Sequence, residues 1–157
     1  MEKSKYIAML ETADQYYNVS VMLQNEQAKW EGKDDYSFTV HTVVPRAVIA
    51  TIACEIYLKA LIYLQGNNNE PEHGHDLLAL YNKLDKADRD WCEKEFNKWI
   101  GDKNSNLITE LSEHNRVFVD IRYMYEIGWI HNRLNHVRVG SLTRFMKLLR
   151  SICQKYK

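Results

Sequence analysis

The run RAVIATIACEIYLKALIYLQG, from Arg46 to Gly66, constrains the fold more than any other stretch of this 157-residue chain. Between Ala47 and Leu64 nearly every residue is apolar or small, and a helix that is apolar on almost every side must be covered on almost every side. A membrane span has similar length and composition. Arg46, Glu55 and Lys59 argue against that reading, since each charge would cost about 2.5–3.5 kcal/mol near the bilayer centre. The expected place for this segment is the centre of a helical bundle, with the rest of the chain as its cover.

The flanking sequence supplies that cover at helical spacing. Tyr6, Leu10, Ala13, Tyr17 and Val21 recur every three or four residues and predict a first helix over 2–28. The polar EGKDDYSFT reads as a loop, and Pro45 then falls in the first turn of helix two, where its missing N–H is tolerable. Gly66 ends that helix before the connector NNNEPEHG. Asp76 opens a new pattern at Leu77, Leu80, Tyr81 and Leu84, and DKADRDWCEKEFNKWIG adds a helical piece ending at Gly101. Leu107, Leu111, Phe118, Ile121, Tyr125 and Trp129 mark a helix over 105–129, with Asn104 or Ser105 as caps. After the loop IHNRLNHVRVG, Ser141 caps a last helix whose Leu142, Phe145, Met146, Leu149, Ile152, Cys153 and Tyr156 share one face. With six glycines and two prolines to interrupt it, the chain is expected to be all-α, one domain over 1–157, an antiparallel up-and-down bundle of four to five helices.

Charge narrows the functional classes. The net charge is zero, but every residue from Gly128 onward is neutral or basic: Arg133, Arg138, Arg144, Lys147, Arg150, Lys155 and Lys157 contribute seven positive charges and no acid offsets them. This is either the footprint of an anionic partner or a basic face that answers the acidic helices of the same chain. Cys54, Cys92 and Cys153 are odd in number, far apart and set among apolar residues, so they are expected to be reduced thiols in a cytoplasmic protein. The beginning MEKSKYIAMLETADQ has no signal-like apolar core. Neither secretion nor a membrane partner is expected.

Three polar clusters break the bundle pattern. Glu55 and Lys59 are spaced for an ion pair with the acid first, the favourable order on a helix. Inside an apolar helix they need further partners, because desolvating an ion can cost several kcal/mol. In GHDL, Asp76 suits the free N–H groups of a helix start, which leaves His75 unexplained by capping. With His73 it spells HGHD, which invites a metal; two loop histidines without a third ligand do not make a site, and no metal and no cofactor are expected. In FVDIRYMYE, Arg122 lies at the edge of the stripe of Phe118, Ile121 and Tyr125, with Glu126 one turn on. A guanidinium there wants a carboxylate or a phosphate. Either Arg122, Glu126, Glu55 and Lys59 satisfy one another as structural glue, or they surround a site for a nucleotide or an RNA phosphate.

Taken together, AxEIYLKALxxxxG, GHDLLALYNKL and FVDIRYMYE, in this order over about Ala53 to Glu126, resemble the HEPN superfamily, the higher eukaryotes and prokaryotes nucleotide-binding domains. The resemblance implies a four- or five-helix bundle that commonly forms a homodimer. It implies RNA or a nucleotide as ligand, and a setting in a toxin–antitoxin or phage-defence module with a nucleotidyltransferase or antitoxin partner. The positions it carries over are Glu55, Lys59, His75, Asp76, Arg122, Tyr123 and Glu126. Ribonuclease members place a His four to six residues after an Arg. Here eight residues separate Arg122 from His131 and two separate Arg133 from His136, so that motif is absent. For a metal-free cleavage, the candidate acid–base groups are His75 and His131, with Arg122 to stabilise charge on the phosphate and Lys59 to assist. Arg133, His136, Arg138 and Arg144 are the candidate nucleic-acid contacts, on the loop and the start of the basic last helix. The alternative from another class is a non-catalytic helical protein-interaction module whose polar network specifies packing.

Overall fold

A helix as apolar as the central segment determines what must surround it, and the surrounding elements are helices. The computed structural model describes residues 3–29, 36–66, 72–101, 105–114 and 138–157. Its elements are α1 (Lys3–Ala28), α2 (Tyr36–Gln65), α3 (Leu77–Tyr81), α4 (Lys86–Ile100), α5 (Leu107–His114) and α6 (Val139–Lys155). No strand occurs among the described residues.

α2 lies between α1 and α6 and also touches α3, while α6 packs in turn on α4. The window Thr42–Gln65 has a mean hydropathy of 1.8, enough by length and composition to cross a membrane. Here it forms the heart of the bundle. Ala47, Ala50, Ala53, Cys54, Leu58 and Leu61 are fully buried, and the alanines let neighbouring helices approach closely. Contacting pairs give the directions. Gln27 meets Arg46, Asp14 meets Tyr57 and Lys5 lies over the Tyr63 ring, so α1 and α2 run antiparallel. Tyr6 with Cys153 and Asp14 with Arg150 make α1 antiparallel to α6 as well. α2 and α6 therefore run the same way.

The helix ends follow local chemistry with some departures from expectation. Gly66 donates its N–H to the Ile62 carbonyl at 2.8 Å at the end of α2, as anticipated. Asp76 caps α3 by accepting from Ala79 N at 2.7 Å. Gly101 closes α4 in the left-handed region at φ +63°, where a Cβ would be strained. α2, by contrast, starts at Tyr36 and so includes the YSFT expected in the loop. Pro45 consequently sits inside the helix instead of in its first turn, and leaves the carbonyl four residues earlier without its usual donor. The surrounding burial outweighs this local penalty. α5 is capped by Asn106, which accepts from Thr109 N at 3.0 Å, in place of the expected Asn104 or Ser105. Ser105 is instead drawn to Glu110. α6 begins at Val139 with no side-chain cap, and Ser141 is buried within it. Tyr156 falls past the end of α6 and is 45% exposed, outside the apolar face it was expected to join. The part of the expected fourth helix beyond His114 lies outside the described residues.

Candidate functional site

The two charges of the apolar helix meet each other and a third group. Lys59 Nζ lies 2.8 Å from Glu55 Oε1, and both side chains are largely buried, 16% and 17% exposed. The pair sits one turn apart on α2, where that spacing brings the side chains together. His75, in the loop before α3, places Nδ1 at 3.0 and 3.1 Å from the two Glu55 oxygens. Its ring is 71% exposed. The Asp76 cap fixes the chain direction at this point, and burial of Leu77, Leu80 and Tyr81 holds α3 against the core. Glu55, Lys59 and His75 thus form a corner with a desolvated ion pair beneath and an imidazole on the solvent side. Asp76 stands beside it in a capping role. Arg122 and Glu126, expected beside Glu55 and Lys59, and the further candidates Tyr123 and His131 lie outside the described residues.

The basic end of the chain is largely occupied at home. Arg138 Nη1 is 2.7 Å from Glu110 Oε1. Arg144 Nη2 points to the Glu95 carbonyl at 3.4 Å. Arg150 Nε donates to Asp14 at 2.8 Å and its guanidinium stacks 4.5 Å from the Tyr17 ring centre. Lys155 lies 4.2 Å over the Trp91 ring. Arg138 remains half exposed, so its outer edge is open to solvent. Arg133 and His136 lie outside the described residues.

Two polar clusters were not anticipated. In the first, Asp14 Oδ1 accepts both the Tyr57 hydroxyl at 2.5 Å and Arg150 Nε, joining α1, α2 and α6 at one atom. Burial above all, and then the bond to Asp14, holds the Tyr57 phenol far above its ordinary pKa. The Arg150 guanidinium is raised in turn, chiefly by its bond to Asp14. Nothing in the one-dimensional pattern brings positions 14, 57 and 150 together.

In the second, Glu110 is buried on α5, and its Oε1 accepts from Ser105 Oγ at 2.5 Å and from Arg138. His114, also buried, holds Nδ1 2.6 Å from the Glu110 carbonyl. This cluster had a signal in the sequence. Leu107, Glu110, Leu111 and His114 follow the spacing of a single helical stripe, so the acid and the imidazole occupy core positions.

The described residues hold no group of three His, Cys, Asp or Glu side chains arranged for a metal. Comparisons of the chain with protein-family models, with curated proteins and with solved structures found no match.

Proposed function

We propose that the chain is a HEPN-like bundle of four to five helices that binds RNA or a nucleotide at the corner of Glu55, Lys59 and His75. The observation that carries the reading is the Glu55–His75 contact. A carboxylate that takes the Nδ1–H of an imidazole fixes the tautomer and makes Nε2 the acceptor nitrogen of the ring. That atom can accept a proton from a ribose 2′-OH without a metal, while Lys59 supplies positive charge behind it. In this reading Arg122, assigned by sequence alone, balances the charge that develops on the phosphate. The absence of the usual Arg–His spacing makes His75, instead of a histidine following Arg122, the acid–base group. A cytoplasmic homodimer working with a nucleotidyltransferase or antitoxin partner is the setting that the motif resemblance implies.

The test is incubation of the purified protein with total RNA in EDTA, beside His75→Ala, Glu55→Gln and Arg122→Ala variants. Cleavage that falls by about 10²–10⁴ in the His75 variant supports the acid–base role. Equal RNA stability with wild type and all three variants refutes it. Binding is judged separately by salt dependence, since phosphate contacts must weaken as salt rises.

A second reading has its own support. Arg138, Arg144, Arg150 and Lys155 all engage groups of the same chain, as a packing network in a helical protein-interaction module would require. RNA binding that is absent, or indifferent to salt, favours this module.

A further inference from the structure

Trp99 stands in the last turn of α4 with 46% of its surface in solvent, although an indole ring is highly buried on average. The ring is nevertheless anchored. It packs tilted against the buried Phe96, with ring centres 5.5 Å apart. Its Cη2 edge lies 3.8 Å from where a Cβ would stand on Gly140, in the first turn of α6. The seam between the end of α4 and the start of α6 therefore holds one fixed, half-exposed aromatic ring.

The surroundings of that ring are basic. Glu95, one turn before Trp99, accepts from Lys98 Nζ at 2.8 Å. Its carboxyl is held below the ordinary range chiefly by that bond, with Lys94 and Arg144 adding their charge. Arg144 also donates to the Glu95 carbonyl, and Arg138, two residues before Gly140, is half exposed while its partner Glu110 is buried. Four cations thus meet two acids along the seam, and one of those acids is inside the fold. A ring set among positive charges suits a partner that brings both a π-face and negative charge. An apolar protein surface supplies only the first and an acidic one only the second, whereas each unit of a nucleic-acid strand carries both. We propose that the seam of Trp99, Lys98, Arg138 and Arg144 binds single-stranded RNA, with one base stacked on Trp99 and the neighbouring phosphates on the cations. This rests on the reading of the chain as an RNA binder, and narrows its ligand from RNA or a nucleotide to a strand. Cys54 Sγ lies 3.8 Å from the Leu142 carbonyl, so the start of α6 meets α2 at the residue before Glu55 of the corner.

The test is fluorescence-anisotropy binding of a labelled single strand of about 12 nucleotides, 2′-O-methylated so that it is not cut through the 2′ oxygen. Trp99→Ala should weaken binding about 5- to 150-fold, while Trp99→Phe, which keeps a ring, retains most of the affinity. Lys98→Ala should weaken it too, and make the logarithmic salt slope shallower by about 0.7. A strand of the same backbone without bases tests the stack with wild type alone, which should bind it about 5- to 150-fold more weakly than the complete strand. Three results overturn the proposal: wild type that binds no strand at low salt, Trp99→Ala with unchanged affinity, or equal affinity for the two strands. The first of them leaves the seam to a protein partner. The corner is judged apart from this, because His75→Ala is read by cleavage. Loss of cleavage there with Trp99 inert in binding refutes the seam alone, and a Trp99 effect without that loss refutes the corner alone.

Discussion

Replacing Asp14 by Ala should destabilise the protein by more than any single bond it makes, because one atom serves two partners from two other helices. The Tyr57 side chain is 1% exposed, and without Asp14 its hydroxyl is left buried and unpaired, at a cost of about 1–3 kcal/mol. The Arg150 pair adds less. Its side chains are 36% and 21% exposed, so solvent screening limits it to about 1 kcal/mol or below. The expected loss for Asp14→Ala is therefore about 2–4 kcal/mol. Tyr57→Phe should cost about 1 kcal/mol, since Asp14 keeps Arg150 and some contact with water. The informative variant is the double one. With Phe at position 57 no hydroxyl is stranded, so Asp14→Ala should then cost only about 1 kcal/mol, a coupling of about 1–3 kcal/mol. Urea unfolding followed by far-UV circular dichroism gives each value, provided the slopes match. Losses that simply add, within about 0.3–0.5 kcal/mol, would refute the shared-atom reasoning.

Further outcomes follow from burial and from backbone geometry. Burial pushes the Cys92 thiol up to about 12 and raises Cys54 and Cys153 as well, whereas thiols in the unfolded chain ionise near 8.5. Below that value the thiols stay protonated in both states and stability is unaffected. Above it only the unfolded chain loses its protons, so stability should fall by up to about 4 kcal/mol per pH unit for three groups. Tyr6, Tyr57 and Tyr81, also raised by burial, should add to the loss above about pH 10. Urea midpoints under reducing conditions that stay level to pH 11 would contradict this. Pro45→Ala should restore a helix hydrogen bond at an exposed position inside α2. Against a penalty of about 3 kcal/mol for an interior proline stands up to about 1 kcal/mol gained by restricting the unfolded chain, so a net stabilisation near 2 kcal/mol is expected in the same assay. An unchanged or lower midpoint would mean that the helix has already accommodated the proline.

The elements whose signals are local were legible in the sequence. The α1 stripe at Tyr6, Leu10 and Ala13 is buried, the three cysteines are buried free thiols, and Asp76, Gly66 and Gly101 mark helix ends. Each depends on residues within a turn or two of one another. The errors arose where packing overrode local preference. Pro45 is carried inside α2, and α6 begins ahead of the serine that could have capped it. For the site, the i,i+4 spacing announced Glu55 and Lys59 and required further partners for them. Capping left His75 unexplained in the sequence, and it is the fold that brings it to Glu55.

What the sequence determines by itself is that the segment from Arg46 to Gly66 must be a helix buried in a bundle of other helices. Periodicity and apolarity are properties of neighbours along the chain, and they leave few other ways to keep that surface from water. Which charge meets which was decided only by the tertiary structure. Asp14 joins Tyr57 and Arg150, Glu110 holds Arg138, and much of the basic end turns back onto its own bundle. Those pairings depend on helix directions and register, which bring together residues up to 136 positions apart. A formal charge can be counted in one dimension, but whether it is spent within the fold or offered to a ligand is settled by distance in three.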